Sequence, residues 1–354
     1  MSESLRFTFS ANPVRVIFGA GAIRQIGVEV DRLAFTRVAL LCSKRYGAEV
    51  EALLGPRRIA TIGEAVMHVP VEVVADALAR IRSVAADGLV AVGGGSTIGL
   101  AKAVALETGL PILAVPTTYG GSEMTSVWGL TEAGKKRTGR DDRVRPKSVI
   151  YDPELTRELP PSLAAASGLN AMAHAVEALY SPEVDPVTAL MAEESLREIA
   201  RGLPDLATGP AAGEAVCYGA WLAGVCLDRA QMGIHHKLCH VLGGTFKLPH
   251  AAVHGVVLPY AAAFNFVAAP VAMQRIARAL SATAGEGAPA ALFAIARRVG
   301  APASLAELGM RGEDLDRAAV LAAENPYAYL RPADVGELRA LLGAAFVGRP
   351  PSVG

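Results

Sequence analysis

Net charge is missing from this chain: 34 Lys and Arg stand against 34 Asp and Glu in 354 residues, only 19% of the total. A protein that coats nucleic acid needs a strongly basic footprint, so that class is disfavoured, although a local basic site for an acidic small molecule is not. Cysteine is scarce as well. Cys42, Cys217, Cys226 and Cys239 form no C-x-x-C pair and read as small buried hydrophobes in a reducing compartment. Cys239, set among histidines, is the one that offers a soft metal ligand. Long apolar runs are absent: Gly, Pro or a charge interrupts each before the roughly 20 residues a membrane span requires. Residues 1–15 lack the apolar segment of a secretory signal. The expectation is a cytoplasmic protein with no nucleic-acid and no membrane partner. There is no internal repeat, no low-complexity tract, and no G-x-G-x-x-G fingerprint at the first strand, so the usual dinucleotide motif argument does not apply.

Apolar residues are plentiful. At 52% hydrophobic the chain can bury a large core, and its length suits two domains of roughly 150–200 residues. Short apolar runs at 37–43 (RVALLCS), 58–62 (RIATI), 89–92 (LVAV) and 112–116 (ILAVP) alternate with helical patterns such as 70–86. That alternation predicts a parallel sheet with helices on both faces. Between 126 and 153 two β-prone pieces (SVWGLTE, KSVIYDP) flank a basic, Gly-containing stretch that reads as a hairpin or extended connection. Beyond it, 163–180, 187–201, 213–229 and 270–284 are Ala- and Leu-rich helical patterns. The expected architecture is an α/β nucleotide-binding domain over 1–155 and an all-α substrate domain over 156–354.

Gly93, Gly94, Gly95 and Ser96 follow the run LVAV and open a helical stretch. Glycines admit a ligand close to the backbone, and the helix N-terminus offers unpaired N–H groups to a pyrophosphate; Ser96 is a candidate cap. A second polar turn, with Thr117 and Thr118, follows the next strand, so two such loops line one sheet edge. Ser43, Lys44 and Arg45 end the strand RVALLCS without an acid, an environment that would not repel a 2′-phosphate, and NADH and NADPH both stay open.

Five of the seven histidines fall between 235 and 254. His236 and His240 are four apart, as are Asn170 and His174 upstream, so each pair shares a helix face. His250 and His254 are one helical turn apart. An Asp at 170 would complete a divalent-metal set, but Asn removes its only anionic ligand. The expectation is a site without metal, in which the imidazoles and Lys237 supply hydrogen bonds and positive charge.

These motifs together (FGAGAIRQI, GGGSTIGLAKAVA, PTTYGGSEMT, NAMAHAVEALY and HHKLCHVLGGTFKLPH) resemble the iron-containing alcohol dehydrogenase superfamily, which includes dehydroquinate synthase-like folds, along nearly the whole chain. By that resemblance His174, His236 and His250 occupy metal-ligand positions, with Asn170 where metal-dependent members carry Asp, and His240 matches a histidine near the reacting centre. Asn170, the PTTYGGSE loop, the paired HHKLCH and His254 look like the maleylacetate reductase branch. The resemblance implies NADH- or NADPH-dependent reduction of the maleylacetate double bond to 3-oxoadipate in aromatic-compound degradation, a dicarboxylate substrate and a homodimer. Asn170, His174, His236, Lys237, His240 and His250 are then the candidate catalytic residues. Gly93, Gly94, Gly95, Ser96, Thr117, Thr118, Ser43 and Lys44 are those for the nucleotide, and Lys136, Tyr119, Ser122 and His254 those for substrate. Arg140 is a further carboxylate anchor, whereas Arg143 and Arg145 read as solvated beside Asp141 and Asp142. A metal-dependent alcohol dehydrogenase and a non-catalytic nucleotide-binding protein are the rival readings.

Overall fold

The computed structural model describes residues 7–353 apart from 64, 67, 68, 133, 134, 183, 284, 325 and 328, and gives the backbone alone at 135 and 136. Eight strands occupy the first half: β1 (Arg15–Phe18), β2 (Val38–Cys42), β3 (Arg58–Ile62), β4 (Gly88–Gly93), β5 (Ile112–Pro116), β6 (Val127–Glu132), β7 (Lys135–Arg140) and β8 (Ser148–Tyr151). Among them run α1 (Ile26–Arg32), α2 (Lys44–Leu54), α3 (Val71–Ser83) and α4 (Gly95–Thr108). From residue 153 onward every described element is helical: α5 (Pro153–Thr156), α6 (Pro161–Leu179), α7 (Pro186–Gly202), α8 (Pro210–Arg229), α9 (Ile234–Thr245), α10 (His250–Asn265), α11 (Pro270–Ala279), α12 (Ala288–Arg298), α13 (Leu315–Ala323) and α14 (Val335–Val347), with short 3-10 turns between them.

Six strands form one parallel sheet in the order β1-β8-β5-β4-β2-β3. β2, β4 and β5 are buried along their whole length, as interior parallel strands covered on both faces must be. Their residues divide by parity. Leu40, Cys42, Val90, Val92, Leu113 and Val115 pack with α1 and α2. Ala39, Leu41, Leu89, Ala91, Ile112 and Ala114 pack toward α3 and α4, in a core that continues through α6, α7, α8, α11 and α12. A separate cluster joins α9, α10, α13 and α14.

The parallel sheet followed by a helical half agrees with the expectation, and the connection between them does contain a hairpin, though with a different second strand. The basic run is itself strand β7, paired antiparallel with β6, and SVIY leaves that hairpin to become β8 between β1 and β5. Arg143 does lie in solvent on Asp141. Arg145 does not: its side chain is largely buried and bonds Asp228 of α8 at 2.5 Å as well as Asp142. Arg140 is also taken up by Asp228, through its carbonyl and carboxylate, so it is occupied by the protein itself. Asp228 further accepts from Asn12 and the Ser126 N–H, and so docks the first half onto α8.

Lys102 ties down the loop after β5. Fully buried on α4, its ammonium donates to the carbonyls of Ser122, Thr125 and Val127 and to the Thr125 hydroxyl. On the other side of that loop, Gly121 has φ +82°, and a Cβ there would stand 3.0 Å from Gly224 of α8 and 3.4 Å from His174 Nδ1. Only glycine combines that conformation with so close an approach.

Candidate active site

The sheet order places β3 on one side of β2 and β4 on the other. The chain therefore reverses direction between β2 and β4, and the crevice at their carboxyl ends is where open α/β sheets take ligands. Ser43 and Lys44 leave β2 there, as the N-cap and first residue of α2. Gly93 ends β4, and the Thr117 N–H reaches back to its carbonyl at 3.1 Å, joining the two polar loops. The N-cap of α4 is Gly94 and no side chain caps it, so Ser96 is not the cap expected from sequence. The first N–H groups of α4 are thereby left for an anion. A Cβ on Gly94 would press on the Thr118 methyl at 3.0 Å, whereas one on Gly95 would meet nothing within 4 Å. These features fit a dinucleotide pyrophosphate. Gly95→Ala is accordingly expected to melt within a few degrees of the parent while weakening NADH binding about tenfold or more, because its methyl enters the ligand's space. Calorimetric titration beside a thermal melt separates the two effects.

The histidines converge from three helices. α6 carries Asn170, His174 and Glu177 at i, i+4 and i+7; α9 brings His235, His236 and His240; α10 opens with His250 and His254. The His174 and His236 rings stack at 5.1 Å, His254 lies 5.1 Å from His236 and 4.6 Å from His250, and His240 stacks on His250 at 6.0 Å.

Glu177 organises the group. Fully buried, it accepts from His236 Nδ1 at 2.5 Å, from the backbone N–H groups of Gly233 and His235, and from the Tyr180 hydroxyl. Burial alone would raise its pKa. The His236 charge and hydrogen bond, with His235 and the Gly233 N–H, outweigh burial and hold it below the ordinary carboxylate value. The ionised carboxylate only accepts, so His236 carries its proton on Nδ1. His235 must in turn donate through Nε2 to the His254 carbonyl at 3.0 Å.

Four buried polar atoms here have no partner: Asn170 Oδ1, His174 Nδ1, His236 Nε2 and His254 Nδ1. Each such atom costs about 1–3 kcal/mol of desolvation unless a ligand meets it. Their concentration in one cluster makes it the candidate site.

Burial, reinforced by neighbouring imidazoles, pushes His174 and His254 well below the usual histidine value and His235 down to about 4. The folded form thus binds fewer protons than the unfolded one below about pH 6.5. Stability is expected to fall as pH drops from about 6.5 toward 4, and urea midpoints at pH 7, 5.5 and 4.5 check it.

Other expected residues lie elsewhere. Lys237 turns outward, donates to the Glu324 carbonyl after α13 and lies 5.7 Å from the Tyr327 ring centroid. Tyr119 is 1% exposed, within the core, and its hydroxyl has no partner there. Ser122 gives its carbonyl to Lys102. Lys136 sits on β7 opposite Thr131, and its side chain is outside the described residues. The sequence reading missed Glu177, His235 and Tyr327. Glu177 had a signal, since it shares the α6 face of Asn170 and His174.

The ligand positions that the resemblance implied hold three imidazoles and no carboxylate. Residue 170 is a neutral amide, and Glu177 has its oxygens engaged by four donors. Among the described residues, ligand atoms gather only as His235–Cys239–His254 and Glu177–His235–His236, and neither group contains His174 or His250. Burial also holds the Cys239 thiol up, in its protonated form.

Comparison with known proteins shows the family. The family described as "Iron-containing alcohol dehydrogenase" matches residues 13–153, and "Fe-containing alcohol dehydrogenase family, C-terminal" matches 164–346. The chain is 49% identical to a maleylacetate reductase of Burkholderia cepacia, over 98% of its own length and 99% of that relative's. It is 48% identical to one of Sphingobium indicum, over 98% and 99%. The crystal structure of a maleylacetate reductase from Agrobacterium tumefaciens superposes with a TM-score of 0.93 at 44% identity, covering 98% of this chain and 100% of that one. Among the described residues no helix is long and apolar enough to cross a membrane.

Proposed function

The chain belongs to the iron-containing alcohol dehydrogenase family, and from that premise we propose that it reduces the carbon–carbon double bond of maleylacetate with NADH or NADPH, without a metal. One observation carries the reading. A buried group of imidazoles and an amide holds four unpaired polar atoms, and Glu177, the carboxylate that it contains among the described residues, is locked behind His236. Such a site offers hydrogen bonds and positive charge but no exposed anion, which suits a dianionic substrate. The family's name points to iron and the donors argued above point away from it; the metal-free alternative follows the donors.

Gly93, Gly94, Gly95, Ser96, Thr117, Thr118, Ser43 and Lys44 would hold the nicotinamide cofactor, which would supply the hydride. Addition at the carbon β to the ketone leaves negative charge on the ketone oxygen as an enolate. His236 is the residue placed to meet it: Glu177 fixes its ring through Nδ1, and its buried Nε2, without a protein partner, donates to that oxygen when the ring is the imidazolium. A preorganised donor of this kind is worth about 3–4 kcal/mol. Asn170 and His174 fill the same side of the site on the face of α6 that carries Glu177. Neutral Asn170 avoids a carboxylate beside the substrate's own. His240 and His250 form the opposite wall and supply the proton to the α carbon.

Following NADH loss at 340 nm with maleylacetate, then with simple aldehydes and ketones, tests this reading. Turnover confined to maleylacetate supports it. Turnover of simple carbonyls and not of maleylacetate would favour an alcohol dehydrogenase, the reading that the three imidazoles at 174, 236 and 250 keep open.

A further inference from the structure

Lys102 sits two turns into α4, about 10 Å along the helix from the N-terminus that receives the nucleotide. Its ammonium donates to the carbonyls of Ser122 at 2.5 Å and of Thr125 and Val127 at 2.8 Å, and to the Thr125 hydroxyl at 2.9 Å. The direction of each bond is fixed, because an ammonium only donates and a carbonyl only accepts. The Thr125 hydroxyl in turn donates to the Ser122 carbonyl and accepts from the Val127 N–H. The loop after β5 is thus fastened to the α4 unit at both ends: at its start by the Thr117 N–H on the Gly93 carbonyl, and at its end by Lys102. Between the two points Thr118 lies against Gly94, and Gly121 packs on Gly224 of α8. All four partners of Lys102 are neutral oxygens, and a charge buried on such partners costs more than an apolar side chain of the same volume. What the ammonium adds over packing is direction, since three loop carbonyls must point at one atom.

We propose that Lys102 is a positioning residue for residues 117–127: it makes this loop move as one body with α4, so that a nucleotide seated on Gly93, Gly94 and Gly95 sets where the loop stands against α8. The role rests on the functional reading given above, through its nucleotide. Lys102 touches neither nucleotide nor substrate; it acts through the loop that reaches from the nucleotide cradle to the helical half. Slack in that loop leaves the cradle itself intact and loosens the alignment of the two halves on which the reaction depends.

Lys102→Met keeps the volume and removes the donors; Thr125→Val removes one acceptor and disturbs the fold less. Amide hydrogen exchange with and without NADH reads the coupling apart from turnover. In the parent, NADH should slow exchange at residues 121–127 about tenfold or more, and in Lys102→Met less than about twofold, with the slowing at residues 94–98 retained. The variant's affinity for NADH should change less than about threefold, while kcat with maleylacetate falls about tenfold or more. Thr125→Val should lie between the two proteins in both readouts, and it decides the matter if Lys102→Met does not fold. A lysine that only stabilises the fold would lower the melting temperature and leave the NADH-induced protection and the kcat of the folded variants in place; that result overturns the role, as does a parallel loss of NADH affinity and kcat. Parent protein that does not bind NADH overturns the functional reading and this role with it. Parent protein that binds NADH and gains no protection at residues 121–127 overturns the role alone.

Discussion

Glu177→Gln is expected to be the most damaging isosteric change in the molecule, lowering stability by about 3–5 kcal/mol, the usual loss when one partner of a buried pair is removed. The carboxylate receives His236 Nδ1–H, two backbone N–H groups and the Tyr180 hydroxyl. An amide has one oxygen to accept with, and its NH2 faces donors, so at least two buried groups lose their partners. The same change frees the His236 ring from the partner that orients it, so kcat/KM should fall about a hundredfold or more. The pH dependence has a definite sign. Glu177's pKa is held below its ordinary value in the folded chain, so its contribution is fully present above the unfolded carboxyl value of about 4.3 and fades as pH falls through the folded one. The Gln variant should therefore be less stable at pH 7 and lose less than the parent on going to pH 4. Urea unfolding at both pH values checks this; an equal acid loss in the two proteins would remove Glu177 from the account.

Asn170→Asp is expected to reverse the chemistry of the site. Asn170 Oδ1 is buried without a partner on the α6 face that carries His174 and Glu177. A carboxylate about 4 Å from one of the substrate's own would repel it by about 4 kcal/mol at an effective dielectric of 20, so kcat/KM in the presence of a chelator should drop up to about a thousandfold. The new anion also gives three imidazole positions the charged oxygen ligand they lack, so zinc or iron should bind more tightly than in the parent. Calorimetric zinc titration beside turnover in EDTA measures both. A variant with undiminished chelator-resistant turnover and no gain in metal affinity would mean that residue 170 takes no part in choosing between the two chemistries.

The parts of the fold that were legible in the sequence are those fixed by local pattern. The run RIATI and the run ILAVP coincide with β3 and β5, and the Ala-rich pattern over 163–180 lies within two residues of α6. The errors came from long-range partners. Arg145 beside two acids reads as solvated, since nothing nearby announces Asp228, 83 residues downstream. Basic β7 reads as the middle of a hairpin and not as one of its strands, because a strand's identity depends on the neighbour it pairs with. Tyr119 in a Gly-rich loop suggests a ligand contact, and the positive φ of Gly121 instead folds that loop against α8. The site shows the same division. The histidines were evident from their density and spacing. Lys237 was misjudged because i and i+1 on one helix point to different faces, and Tyr327 sits among Ala and Pro with no periodicity to lend it meaning.

In the proposed cycle the enoate takes its hydride from the nicotinamide and its proton from an imidazole, with no metal ion. Purified protein should be dialysed against EDTA, its iron and zinc content measured, and its oxidation of NADH by maleylacetate followed in the same sample, with the product identified. The account predicts full turnover to 3-oxoadipate with less than about 0.1 metal ion per chain, since nothing in the proposed cycle draws on a Lewis acid. Turnover that collapses on dialysis and returns in proportion to added iron or zinc would contradict it.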